Sequence, residues 1–343
     1  MEYSFSIIIP VYNAERYIKE MLNSVLGQSY TNWNLLIIDD GSTDSSSEIC
    51  DSYSADNVQI LHFPNQGQIA ARIEGIKRAT GDYTLVLDAD DILHTNCLKI
   101  INEIINRKQY DAVIFPYQMC DESLKPLGRV SDIPRNNDEM SKEETLEWVI
   151  KEWNHGLVNK AIRTDLIKKG ITETITKKVK INGDYAMIVP IISQLDTIFS
   201  SSEVLYTYRV YQNSISHKYS FQHLIDTDYV SDFIAKYLDD KKLYTKEMSK
   251  LVNVAYLKMI VMILEGYYNT DAFDFKLIEN FKKNDFYKTS IFYETIQNCG
   301  FGTWLELKAL RNNIKLLTII LHIKSWIMKA KKTLKLLLKK EGN

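Results

Sequence analysis

Five short apolar runs punctuate the first 120 residues. They are Phe5-Ser6-Ile7-Ile8-Ile9, Leu35-Leu36-Ile37-Ile38, Val58-Gln59-Ile60-Leu61, Tyr83-Thr84-Leu85-Val86-Leu87 and Ala112-Val113-Ile114-Phe115. All are rich in β-branched residues and scarcely alternate with polar ones, the pattern of strands buried on both faces of a parallel sheet. Helical patterns lie between them. Asn13 can cap a helix over 14–26 and Ser42 one over 44–53, while Gln66–Ala79 carries Ile69, Ile73, Ile76 and Ala79 at helical spacing. Strand-helix alternation of this kind predicts an α/β fold with a mostly parallel, Rossmann-like sheet whose ligands bind at the carboxyl ends of the strands.

Residues 120–140, with Asp121, Pro126, Gly128, Pro134 and Asn136-Asn137, read as a loop. Ser141-Lys142-Glu143-Glu144 then reads as a capping-box start of a helix. From about residue 218 the pattern is helical to the end. With 343 residues the chain has room for one α/β domain of roughly 220 residues and a smaller appendage. We therefore expect a catalytic-type domain over 1–218, with halves of about 1–120 and 121–218. An all-helical region over 219–343 completes the chain.

Composition is ordinary for a globular chain, at 45% hydrophobic and 25% charged. The net charge of −2 argues against a nucleic-acid-coating protein. The average hides an asymmetry: residues 303–343 hold ten Lys and Arg against Glu306 and Glu341, leaving the rest of the chain at about −10. The four cysteines, Cys50, Cys97, Cys120 and Cys299, form no C-x-x-C pair and read as buried thiols of a reducing compartment. No signal peptide and no spanning segment are visible, so the expectation is a cytoplasmic protein.

The residues with chemical potential sit at the carboxyl ends of the strands. The first run ends in Pro10-Val11-Tyr12-Asn13, the second in Asp39-Asp40-Gly41-Ser42-Thr43-Asp44 and the fourth in Asp88-Ala89-Asp90-Asp91. A doubly wound sheet brings such tips to one edge. Carboxylates in D-x-D spacing offer hard oxygen ligands of the type that hold Mg²⁺ or Mn²⁺ on phosphate oxygens. Neither G-x-G-x-x-G nor G-x-x-x-x-G-K-[ST] is present, which speaks against a dinucleotide fold and a P-loop. Taken singly, these tips have ordinary alternatives: Asp-Gly-Ser is common turn chemistry, and Asp88 to Asp91 could be a solvated helix cap.

Taken as an ordered set they resemble the inverting glycosyltransferases of family 2, which have a GT-A fold. The set runs from Ser6–Asn13 and Asp39–Asp44 through Asn65-Gln66-Gly67, Ala70-Ala71-Arg72 and Gly81-Asp82-Tyr83 to Leu87–Asp91. Asn182-Gly183-Asp184-Tyr185, Tyr206-Thr207-Tyr208-Arg209 and Asn213-Ser214-Ile215-Ser216 complete it, over roughly residues 4–218. The resemblance implies that Tyr12 packs on the nucleotide base beside Pro10, Val11 and Asn13, and that Asp40 reads uracil. It places Asn65 and Arg72 near the nucleotide and diphosphate, Asp88 and Ala89 near the ribose, and the metal on Asp90 with Asp88. Asp184 is implied as the catalytic base. This chain departs from the pattern at Gly183, where a Glu is usual, and at Ile73, where an Asn commonly comes after the Arg.

The resemblance implies a transferase that moves a hexose or N-acetylhexosamine from a UDP-sugar, with Mg²⁺ or Mn²⁺, onto a glycan hydroxyl. The acceptor expected is a lipid-linked repeat unit of a cell-surface or capsular polysaccharide. Two other classes remain open at this point: a non-catalytic sugar-nucleotide-binding scaffold, which Gly183 would suit, and a metal-dependent nucleotidyltransferase or phosphohydrolase. His217 reads as a lone loop histidine. The basic tail reads either as a helix packed on the domain by its Leu/Ile stripe or as an amphipathic segment on an anionic membrane. At about 100° per residue, Lys324 falls opposite the face shared by Lys308, Arg311 and Lys315, so one basic face would need a bend or two helices.

Overall fold

The computed structural model describes residues 2–152, 156–171, 179, 182–211, 219–290, 301–313 and 315–327. Asn213-Ser214-Ile215-Ser216, His217 and Cys299 lie outside them, as does the tail beyond residue 327. The chain divides into two compact units, Met1–Val179 with Gly183–Gln212, and Lys180–Asn182 with Asn213–Asn343.

The first unit starts with β1 (Phe5–Val11), α1 (Ile18–Leu26), β2 (Trp33–Asp39), α2 (Ser46–Asp51), β3 (Val58–His62), α3 (Gln68–Arg78) and β4 (Tyr83–Val86). All seven residues of β1 are buried, as expected of a central strand covered on both faces. It pairs in parallel with β2, from Phe5 opposite Trp33 to Val11 opposite Asp39, and with β4 on its other side. Parallel register leaves all four carboxyl tips on one edge.

β5 (Ile92–Leu93), α4 (Cys97–Arg107), β6 (Ala112–Ile114), β7 (Tyr117–Cys120), β8 (Pro126–Val130), β9 (Asp138–Met140) and α5 (Lys142–Lys151) come next. Then come β10 (Lys160–Arg163), α6 (Thr164–Ile171), α7 (Gly183–Ile192), β11 (Ile198–Ser200) and β12 (Tyr206–Arg209). The main sheet has eight strands in the order β3-β2-β1-β4-β10-β6-β11-β9. β10 enters it antiparallel to both neighbours, with Ala161 opposite Leu85 and Val113. A second sheet of four strands, β5-β12-β7-β8, stands apart from it.

Three expectations need correction. Residues 120–140 are not all loop, because β8 and β9 lie within them; every side chain of β8 is exposed, so no hydrophobic alternation marks it. Asn13 does not cap α1, which starts only at Ile18; Asn13 has φ 49° and its Oδ1 accepts from the Thr43 amide at 2.8 Å. The helix after Ser42 shrinks to the six residues of α2. The capping box of α5 is present as read, with Ser141 and Glu144 satisfying each other's amides. Cys50, Cys97 and Cys120 are buried free thiols.

The second unit is helical among its described residues: α8 (Phe221–Asp240), α9 (Lys246–Tyr268), α10 (Phe275–Phe281), α11 (Asp285–Ser290), α12 (Phe301–Asn312) and a helical run over 315–327. α8 and α9 pair through rows of buried apolar residues, including Leu224, Val230, Ile234 and Leu238 on one and Val252, Met259, Ile260 and Ile263 on the other. No described helix is long and apolar enough to cross a membrane.

Candidate active site

The strand tips are tied to one another by backbone amides. Asp40, 4% exposed at the end of β2, accepts from the Gln66 and Gly67 amides at 2.8 Å each, one on each carboxylate oxygen. Gly67 is the residue that opens α3, so this carboxylate fixes where α3 begins. Gly41 comes next with φ +72°, and a Cβ there would lie 2.8 Å from the Asn65 nitrogen; only glycine lets the two loops approach this closely. Val11 and Pro10 are buried beneath, Asn65 is exposed, and Tyr12 stands half-exposed at the tip of β1.

Arg72 projects from α3 on the inward face that also carries Ile69 and Ile76, at the three- and four-residue spacing of a helix. It is 1% exposed. Its Nη2 donates to Asp88 Oδ1 at 2.7 Å, and its Nη1 donates to Asp184 Oδ1. Both edges of the guanidinium are therefore occupied by carboxylates. The guanidinium thus bridges the tip of β4 and the start of α7.

α7 explains where Asp184 sits. From Tyr185 to Ile192 every residue of this helix is buried, the signature of a helix enclosed on all sides. Its first turn carries Asp184, and there the positive end of the helix dipole favours a carboxylate. Asp184 itself is about a third exposed (32%), consistent with a group that is held on one side and open on the other. Enclosure in the pocket pushes its pKa up, Arg72 pulls it down and Asp88 pushes it up; the net direction is upward. At Gly183, where a Glu is usual, a Cβ would meet Ile69 Cδ1 at 2.5 Å and Ile69 Cγ1 at 2.8 Å, so the Ile69 side chain would have to shift.

The other aspartates at the β4 tip divide by role. Asp91, 1% exposed, accepts from the Tyr206 hydroxyl and the Arg209 amide, each at 2.8 Å, so it fastens β12 to the main sheet. Ala89 is buried between its neighbours. Asp90 accepts from the Tyr211 hydroxyl at 2.9 Å. Its pKa is pushed up first by burial and then by the charge of Asp88. Asp88 and Asp90 are thus neighbouring hard-oxygen donors with excess negative charge between them, which fits a divalent cation. No cluster of three His, Cys, Asp or Glu able to hold one exists among the described residues, so phosphate oxygens and water would complete its shell.

Two cations complete the surroundings. Arg209 is buried beneath the β4 tip: its Nε donates to the Asp90 carbonyl at 2.7 Å, its Nη1 to the Glu122 carbonyl at 2.6 Å, and its Nη2 pairs with Glu20. It orders the tip. Lys160 belongs to none of the motifs read from the sequence. It is 2% exposed, its Nζ donates to the Gly156 carbonyl and to Asn159 Oδ1 at 2.6 Å each, and burial pushes its pKa down to about 7 while the charge of Asp184 pulls it back up. The one signal available is a lysine inside a short apolar stretch, and only the insertion of β10 beside β4 brings it to the site.

Residues 6–170 match the family model "Glycosyl transferase family 2", so this segment is a family 2 glycosyltransferase domain. The chain is 40% identical over 121 residues to the glycosyltransferase GlyG of Streptococcus pneumoniae, covering 34% of this chain and 40% of that protein. To the minor teichoic acid biosynthesis protein GgaB of Bacillus subtilis it is 31% identical over 225 residues, 62% of this chain and 24% of that one. The match thus spans less than half the length of either relative. The crystal structure of S. aureus TarS 1–349 shares the fold, with a TM-score of 0.68 at 16% identity over 94% of this chain and 91% of that one. That fragment has also been solved with UDP-GlcNAc, at a TM-score of 0.62 and 18% identity over 94% and 92% of the two chains.

Proposed function

We propose that this chain is an inverting glycosyltransferase that moves a hexose or N-acetylhexosamine from a UDP-sugar to a hydroxyl of a glycan acceptor. One observation carries the reading: a single buried guanidinium, that of Arg72, holds both Asp88 of the D-x-D pair and Asp184. The acid of the donor side and the candidate base are therefore one side chain's width apart. The UDP-GlcNAc complex of TarS and the teichoic acid role in the name of GgaB support the donor and acceptor classes. We read the acceptor as a lipid-linked unit of a cell-surface polysaccharide and the reaction as cytoplasmic.

In this reading Asp184 takes the proton of the acceptor hydroxyl as that oxygen bonds to C1 of the sugar. The C1–O bond to the β-phosphate breaks on the opposite face, and its electron pair leaves with UDP. One positioned base suffices for a single displacement with inversion. Arg72 acts as a positioning residue: by engaging Oδ1 of Asp184 it leaves Oδ2 for the acceptor. Tyr12, Asn13, Asp40 and Asn65 line the base end of the donor site, with Asp88 and Ala89 toward the ribose. Asp88 and Asp90 would hold Mg²⁺ or Mn²⁺, which when bound supplies positive charge to the diphosphate.

The test is UDP release by the purified chain across UDP-Glc, UDP-Gal, UDP-GlcNAc and UDP-GalNAc, with and without Mn²⁺. Asp184→Asn should abolish turnover by a factor of about 10²–10⁴ while donor affinity stays within a few-fold. Release of pyrophosphate instead of UDP would make the chain a nucleotidyltransferase. Donor binding with no release from any sugar would make it a scaffold.

A further inference from the structure

The helical run over 315–327 carries two apolar faces. One is packed within the second unit: Leu317, Ile320 and Leu321 are at most 9% exposed. Helical periodicity sets Lys324 on the far side of the basic face. There it turns into the unit, where its Nζ donates to Glu265 Oε1 at 2.6 Å and Glu306 Oε2 at 2.5 Å. The other face is open. Leu316 is 43% exposed, Ile319 56%, Ile323 52%, Trp326 68% and Ile327 40%. At 100° per residue these five fall within an arc of about 100°, so they form one stripe along the helix.

Isolated exposed apolar residues need no explanation, but five in a row along one helix face do. Charge decides between the possible occupants. The sequence holds no Asp or Glu from Leu307 to Lys340, and Lys329, Lys331, Lys332, Lys335, Lys339 and Lys340 come directly after the stripe. An apolar face with a tryptophan, next to a lysine-rich and acid-free stretch, is complementary to an anionic lipid surface: the side chains enter the acyl boundary and the lysines meet the headgroups.

We propose that the stripe Leu316-Ile319-Ile323-Trp326-Ile327 is a membrane-docking face for anionic bilayers. It deepens the lipid-linked acceptor reading above without depending on it, since vesicle binding is measured with no substrate present.

The experiment uses the full chain with phosphatidylcholine vesicles and with vesicles of equal parts phosphatidylcholine and phosphatidylglycerol. The intact chain should bind the anionic vesicles at least ten-fold more tightly than the neutral ones. Ile319→Glu with Ile323→Glu should lower that affinity at least ten-fold with an unchanged melting temperature and unchanged UDP release in vesicle-free buffer. Brominated acyl chains should quench the tryptophan emission of the intact chain and not that of Trp326→Phe. Equal vesicle binding by the double variant would overturn the proposal, leaving the lysines to act alone. So would a dimer in vesicle-free buffer that the double variant dissociates, because a second copy would then cover the stripe. Failure of iodide to reach Trp326 in buffer would also overturn it, showing that the chain covers its own stripe. Absence of UDP release from every donor would count against the transferase reading alone.

Discussion

Arg72 and Asp184, 112 residues apart in sequence, form an ion pair at the floor of the candidate active site, and the other edge of the same guanidinium holds Asp88 at 2.7 Å. Two carboxylates this near would repel in a site of reduced dielectric. Arg72 offsets both charges, and its planar fork fixes the direction each carboxylate faces. A lysine could supply the charge but not the two-sided geometry.

Arg72→Lys should therefore retain a folded protein while lowering kcat by about 10–100-fold, because a carboxylate displaced by an ångström loses the aligned proton transfer. Arg72→Met should cost about 3 kcal/mol of stability, the lower end for breaking a buried pair, since both partners are partly solvated. Thermal melting and UDP release separate the two effects. An Arg72→Lys enzyme with wild-type kcat would remove Arg72 from the mechanism.

The rate should carry the signature of Asp184. Only the ionised carboxylate can accept a proton, and its pKa is raised from 3.8, with enclosure in the pocket as the leading cause. Activity should thus be full at high pH and fall as pH drops through a value above 3.8. A kcat profile measured under saturating donor locates that limb. Arg72→Lys, which weakens the restraining cation, should move it to higher pH.

Gly183 should resist the side chain that its family pattern suggests. Gly183→Ala brings a Cβ within 2.8 Å of two atoms of Ile69, an overpacking that should cost about 1–3 kcal/mol and displace the adjacent Asp184. Pairing it with Ile69→Ala should recover part of both stability and turnover. If Gly183→Ala melts and turns over as the wild type does, packing is not the reason for glycine here.

Lys324 tests the second unit in the same spirit. Its removal leaves Glu306, 1% exposed, beside Glu265 with no cation between them. Lys324→Met should cost about 1–3 kcal/mol, below the cost of breaking a fully buried pair because Lys324 and Glu265 are each about a third exposed, and adding Glu306→Gln should restore more than half of it. Additive losses in a double-mutant cycle would show that the pair is not coupled.

Much of this is legible along the chain. The buried strands announce themselves through β-branched runs, and the acidic tips through their position after those runs. The capping box at Ser141 is readable because both of its partners lie within four residues. The features that escape such reading are long-range. β8 is exposed on every side chain, so only its pairing with β7 identifies it. Lys160 looks like any surface lysine until β10 is placed between β4 and β6. Lys324 lies about half a turn around its helix from Lys315, and there it meets two glutamates of the same unit.

The sequence by itself determined the parallel half of the sheet and the set of polar groups at its edge, because strand burial and turn chemistry are local preferences written into neighbouring residues. Only the tertiary structure decided how those groups are paired: that Arg72 serves two carboxylates, that Asp91 fastens a second sheet, and that a lysine is buried where it feels the charge of Asp184. Pairing of charges depends on distance through space and on the water removed around them, and neither quantity exists until the strands and helices have packed.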